Sequence, residues 1–184
     1  MIFECARLID LDESNLELVL NWRNQEHIRN VMYHDEVITL EQHQKWFNKL
    51  KQNDRTLVKV FALDDRLLGV VNFTEIDYKN EKCSWGFYIG EKGAPKGSGT
   101  ILGFLALQFI FEQVQVRKVC AEIISHNEKS IYFHRKLGFQ EEGILKEHVR
   151  KNDEYLDVIL MALFYQQWRV KKHSIETIIK GMMV

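Results

Sequence analysis

Hydrophobic and polar positions change period several times along the chain, and each change marks an element. Residues 3–8 read as a short first strand. Residues 14–29 carry Leu16, Leu18, Val19, Leu20 and Trp22 at helical spacing. Thr39 and Gln42 form a capping-box pair that opens a second helix, reaching about residue 51 with Trp46, Phe47 and Leu50 on its inner face. Residues 57–63 and 67–76 read as two strands of a hairpin turning at Asp64-Asp65, and a third strand, 82–89, follows the turn at 78–80. Behind the glycine-rich stretch 93–100 lies the apolar run 101–111, a helix reaching about residue 113. A strand at 118–124 follows. Ser125 and Glu128 then have capping-box spacing for a helix that Gly138 stops, with Arg135 and Lys136 in its last turn. Residues 139–150 and 155–163 form a last hairpin around 151–153, and 164–184 reads as a partly amphipathic helix. Helices mixed with mostly antiparallel strands predict an α+β fold, its sheet covered on both faces.

Composition narrows the function classes. With 184 residues and one proline, Pro95, the chain reads as a single domain spanning 1–184. Apolar residues at 46% and charged residues at 28% are ordinary for a globular domain, and a net charge of −1 gives no basic footprint for nucleic acid. Cys5, Cys83 and Cys120 are odd in number and widely spaced, so they make neither a disulfide framework nor a metal pattern. The first residues lack the features of a signal peptide, and the run 101–111 is too short to span a bilayer. These features together predict a cytoplasmic protein without a metal.

Candidate chemistry sits in two segments. In Gly93-Ala94-Pro95-Lys96-Gly97-Ser98-Gly99-Thr100 the glycines fall between a strand end and a helix start. Free backbone N–H groups and the helix dipole can hold a phosphate there, and glycine lets the backbone approach closely. An ordinary strand-to-helix turn would use the same residues, and the spacing fits neither a P-loop nor a dinucleotide fingerprint. About thirty residues on, Asn127, Ser130, His134, Lys136, Gly138 and Phe139 form an Asn-x-x-Ser-x-x-x-His-x-Lys-x-Gly-Phe pattern.

In this order and spacing, the two segments resemble the GCN5-related N-acetyltransferase (GNAT) superfamily. That superfamily's loop reads Gln/Arg-x-x-Gly-x-Gly/Ala, matched by Ala94, Gly97 and Gly99; its second signature is matched by Asn127, Lys136, Gly138 and Phe139. Ala94 stands where Gln or Arg is usual, and His134 where tyrosine is usual. The resemblance implies the GNAT acyl-CoA N-acyltransferase fold and direct transfer of acetyl from acetyl-CoA to an amine. It implies that Phe87 and Ile89 line the cofactor cleft between splayed strands. Pro95, Lys96, Gly97, Ser98, Gly99 and Thr100 would then hold the pyrophosphate, with Lys136 close by, Asn127 on the pantetheine and Ser130 near the cofactor. A bulged N–H near 87–89 is the expected oxyanion donor. His134 holds the proton donor's position; with an ordinary pKa near 6.5 it would be partly protonated, able to donate to the thiolate or receive a proton. Asn72 and Glu75 lie on the acceptor-side strand and point to opposite faces if that strand is regular. Glu75 is the better base and Asn72 the better substrate ligand, and the base stays open.

Trp22-Arg23-Asn24, Val31-Met32-Tyr33, His43, Trp46 and Tyr155 carry a narrower likeness. They resemble the N-acetyltransferases of pseudaminic acid biosynthesis, which acetylate the 4-amino group of a UDP-linked 4-amino-4,6-dideoxy-N-acetyl-altrosamine. That likeness implies that Trp22 stacks on a base or sugar and that Arg23 or Arg29 meets the diphosphate, although Trp22 and Trp46 at helical spacing also fit a core. The other readings are a ribosomal-protein-type N-terminal acetyltransferase, with acidity from Asp35, Glu36 and Glu41, and a non-catalytic acyl-CoA-binding protein. The last hairpin and C-terminal helix are the elements available for a homodimer.

Overall fold

The computed structural model describes residues 5–182. Seven strands form one sheet in the order β1-β2-β3-β4-β5-β7-β6. They are β1 (Ala6–Asp10), β2 (Leu57–Leu63), β3 (Arg66–Asp77), β4 (Lys82–Ile89), β5 (Lys118–Ile124), β6 (Gln140–Lys151) and β7 (Glu154–Phe164). The helices are α1 (Leu16–Arg23), α2 (Glu26–Arg29), α3 (Leu40–Leu50), α4 (Ser98–Gln108), α5 (Glu128–Leu137) and α6 (Tyr165–Met182). The α+β expectation holds. One face buries Phe73, Trp85, Leu102, Leu137 and Trp168 in a core shared with α4, α5 and α6; the other buries Val19, Trp22, Phe47 and Val70 beneath α1 and α3.

One junction positions the site. All neighbouring strands are antiparallel except β4 and β5, whose parallel pairing covers only Lys82↔Lys118, Cys83↔Val119 and Ser84↔Cys120. Beyond these pairs the strands separate, so residues 85–89 and 121–124 face each other with backbone groups left unbonded between them.

The β2–β3 and β6–β7 hairpin turns follow from short polar residues that tolerate left-handed backbone. Asp64 and Asp65 have φ of 48° and 61°, and Asn152 and Asp153 have 46° and 67°. The Thr39 cap forms as expected, with Thr39 Oγ1 accepting from Gln42 N at 3.2 Å and Gln42 Oε1 from Thr39 N at 2.8 Å.

Local contacts shift several boundaries. The first strand begins at Ala6, and Phe3 lies outside the described residues. The helix read over 14–29 breaks after Arg23, because Asn24 is clamped to Ile38, accepting from its N at 2.9 Å and donating to its carbonyl at 2.8 Å. Gln25 is then extended. Asn127 rather than Ser125 caps α5, accepting from Ser130 N at 3.2 Å, while Ser125 N is still bonded to the Asp157 carbonyl. Phe109–Gln113 continue α4 as a wider π-turn. Among the described residues no helix is long and apolar enough to cross a membrane, and no group of three or more His, Cys, Asp or Glu is placed to hold a metal.

Candidate active site

The loop ahead of α4 ends in Gly97, whose φ of 97° starts the helix from a left-handed cap. The amides of Ser98 and Thr100, expected as phosphate donors, already bond the carbonyls of Pro95 at 3.1 Å and Gly97 at 2.8 Å. The amides of Lys96, Gly97 and Gly99 have no partner among the described residues. From the last turn of α5, Lys136 Nζ donates to Thr100 Oγ1 at 3.3 Å, placing a cation beside the positive end of α4. Three unbonded amides, a helix N-terminus and an ammonium together fit a diphosphate.

From this loop the opening between β4 and β5 leads to a cavity of about 130 Å³. Met32, Phe87, Asn127, Ser130 and His134 are among its walls. Ile89 packs nearer the loop, 3.9 Å from where a Cβ on Gly99 would stand. No bulge lies at 87–89: β4 stays in regular register with β3 from Ser84 to Ile89. The irregularity falls in β3 instead, between Thr74 and Asp77, where Glu75 has φ of 53°.

His134 differs from its expected state. It is buried, and Trp85 Nε1 donates to its Nε2 at 3.2 Å. Its Nδ1 lies 2.7 Å from the Ser130 carbonyl, which only accepts, so Nδ1 carries the hydrogen. Burial lowers its pKa to about 4, outweighing the carbonyl. At neutral pH this histidine is therefore uncharged, its one N–H is committed, and it has no proton to give a thiolate.

On the α1/α3 side lies a second cavity of about 400 Å³, lined by Arg23, Glu36, His43, Trp46, Asn72 and Tyr88 among others. Arg23 Nη2 donates to the His34 carbonyl at 2.8 Å, while its Nη1 is buried without a hydrogen-bond partner among the described residues. Desolvation lowers the Arg23 pKa. Asn72 Oδ1 and His43 Nε2 are likewise buried and unpartnered. Burial lowers the His43 pKa, and its ring stacks on Trp46 at 4.9 Å. Trp46 is thus half-exposed on the cavity wall, not on the inner face of α3.

Several expected residues stand elsewhere. Glu75 lines a separate cavity with Arg55 and Lys82, and its carboxylate accepts from Ser84 Oγ at 3.2 Å. The bulge carries it away from His134 and Asn72, so it is not at hand as a base. Trp22 is core: a Cβ on Gly90 would stand 2.2 Å from its ring, so helix and strand meet there without room for a ligand. Asn24 spends its amide on Ile38. Tyr155 is exposed on the β6–β7 hairpin, opposite Arg150. Tyr33 sits outside both cavities, its hydroxyl donating to the Glu122 carboxylate. Arg29 binds the carbonyls of Asn24 and Asp35, which leaves Arg23 as the guanidinium on the cavity wall.

Tyr88 and Asn72 line both cavities. Tyr88 was not singled out by the sequence, because attention to the alternate positions 85, 87 and 89 passes over it. The signal that finds it is the antiparallel register, Val70↔Tyr88 and Asn72↔Gly86, which puts Tyr88 on the Asn72 face.

Comparison with known proteins agrees with this geometry. The profile of the family described as "Acetyltransferase (GNAT) domain" matches residues 9–160. Acetyltransferase PseH of Campylobacter jejuni is 28% identical over 130 residues, covering 71% of this chain and 80% of that protein. Spermidine N(1)-acetyltransferase of Vibrio cholerae is 23% identical over 159 residues, covering 86% and 92%. Among solved structures, spermidine N-acetyltransferase from Vibrio cholerae in complex with CoA and spermine superposes with a TM-score of 0.85 at 22% identity, covering 90% of this chain and 98% of that one.

Proposed function

This chain belongs to the GNAT acetyltransferase family and is an acetyl-CoA-dependent N-acetyltransferase; from that premise we propose that its acceptor is the amino group of a nucleotide-linked amino sugar. In this reading the diphosphate of acetyl-CoA lies on the amides of Lys96, Gly97 and Gly99 beside Lys136. The pantetheine arm takes up unbonded backbone between β4 and β5, near Asn127 and Ser130. The amine enters through the larger cavity, past Arg23, His43 and Trp46, and Asn72 orients it where the two cavities meet. One domain carries both halves.

Arg23 Nη1, buried without a partner on the wall of that cavity, carries the proposal. A buried guanidinium N–H wants an anionic or carbonyl oxygen, and a nucleotide-sugar diphosphate or an N-acetyl group offers one. Glu36 is the sole carboxylate among the described residues lining the cavity, so a polycation such as spermidine would meet a half-buried cation and one acid. Of the three acids expected for a basic peptide terminus, Asp35 is paired with Lys151 at 3.0 Å and Glu41 with Lys45 at 2.6 Å, which leaves Glu36 alone to meet it. Similarity to PseH supports the sugar, and similarity to the spermidine enzyme names the rival.

The test is acetyl transfer from acetyl-CoA to UDP-4-amino-4,6-dideoxy-N-acetyl-altrosamine, spermidine and a peptide with a free N-terminus, in parallel. The sugar is expected to turn over with the highest kcat/KM, and Arg23→Met to raise its KM by about ten- to a hundredfold. Faster turnover of spermidine, insensitive to Arg23→Met, overturns the proposal.

A further inference from the structure

Direct acetyl transfer leaves one group without a provider: the proton that the departing thiolate needs. The geometry points to Tyr88 Oη as its donor.

Three observations support this assignment. Tyr88 lines both cavities, packed beside Val70 on the α1/α3 face, and so borders the opening between β4 and β5 as well as the larger cavity. Its hydroxyl has no hydrogen-bond partner among the described residues and is not one of the buried unpartnered atoms, so it is open to the space around it. The other candidates are committed. His134 gives its Nδ1 hydrogen to Ser130 and accepts from Trp85 on Nε2, and the Tyr33 hydroxyl donates to Glu122.

The electrostatics agree. Burial raises the Tyr88 pKa above the ordinary phenol value, and the Arg23 charge opposes that rise to a smaller extent. Tyr88 is therefore a phenol at neutral pH, with a fixed cation nearby to stabilise the phenolate it becomes on donating.

The step balances. The amine nitrogen bonds to the acetyl carbonyl carbon, and the carbonyl π pair moves onto oxygen. When that pair re-forms C=O, the C–S bond breaks with its electrons on sulfur. The Tyr88 Oη proton passes to sulfur, and the proton shed by the new amide nitrogen returns to the phenolate through water in the larger cavity. The products are the N-acetylated amine and CoA thiol. None of this depends on which amine is the acceptor.

The experiment uses CoA itself as probe. The thiol of CoA bound to the wild-type protein is titrated by the ultraviolet absorbance of its thiolate and compared with CoA bound to Tyr88→Phe and to Tyr78→Phe. Tyr78 is an exposed tyrosine on the β3–β4 turn, bonded to the Asp54 carbonyl. Because the Tyr88 hydroxyl has no partner to lose, Tyr88→Phe keeps its packing and is expected to melt as the wild type does. Loss of a donor to sulfur should raise the thiol midpoint by about one pH unit, a tenfold change in thiolate fraction. Turnover of the UDP-amino sugar or of spermidine should fall about a hundredfold, with KM for acetyl-CoA unchanged. Tyr78→Phe should match the wild type on both readouts. An identical thiol midpoint in wild type and Tyr88→Phe overturns the assignment. Failure of the sugar as acceptor leaves the CoA titration intact, so the two proposals fail separately.

Discussion

Replacing His134 with glutamine isolates a stability term that the structure locates in one side chain. Burial takes this histidine from the ordinary 6.5 to about 4 in the folded chain. Its charged form is disfavoured by folding, so between those values the unfolded chain binds more protons. The stabilising contribution is complete above pH 6.5, is lost as pH falls from 6.5 towards 4, and is fully gone below 4. A shift of this size corresponds to about 3 kcal/mol. His134→Gln can keep both hydrogen bonds, its amide N–H to the Ser130 carbonyl and its oxygen to Trp85 Nε1, yet it cannot titrate. The assay is urea unfolding at pH 7.5, 6, 5 and 4 for both proteins. His43 and the carboxylates titrate alike in the two and cancel in the difference. The wild type is expected to lose about 3 kcal/mol more than His134→Gln across that window. Parallel pH profiles would refute the buried neutral histidine.

Three further outcomes follow from the geometry. Gly97→Ala places a side chain at φ 97°, 2.9 Å from Met182 Sδ, and should cost about 1–2 kcal/mol in thermal unfolding while weakening acetyl-CoA in calorimetric titration. Thr39→Ala removes one half of a capping box and should cost about 1 kcal/mol, read as a melting temperature lower by about 2–4 °C. Glu75→Gln should leave kcat within about twofold in the same acetyl-transfer assay, because its carboxylate contacts Ser84 and lies outside both cavities.

Much of the fold was readable because local chemistry and long-range structure agree. The Asp64-Asp65 and Asn152-Asp153 turns, the Thr39 cap, the Gly138 stop and the alternation of β4 each carry their own cause in a few residues. The two-segment signature likewise located the loop and α5. What escaped depended on partners distant in sequence. Nothing at Asn24-Gln25 breaks a helix by composition; Ile38 does so by binding Asn24. Trp22 looks equally like core or ligand contact until Gly90 is seen against its ring. Glu75 loses its place to a bulge whose left-handed residue has no glycine to announce it. The state of His134 is set by burial among residues distant in sequence, Trp85 with its donated hydrogen bond 49 positions away among them.

A crystal structure with bound acetyl-CoA tests the account most directly. Diphosphate oxygens are expected about 3 Å from the amides of Lys96, Gly97 and Gly99, with the thioester between β4 and β5 within reach of Tyr88. A diphosphate bound elsewhere, with those amides still unbonded and the thioester remote from Asn72 and Tyr88, would contradict it.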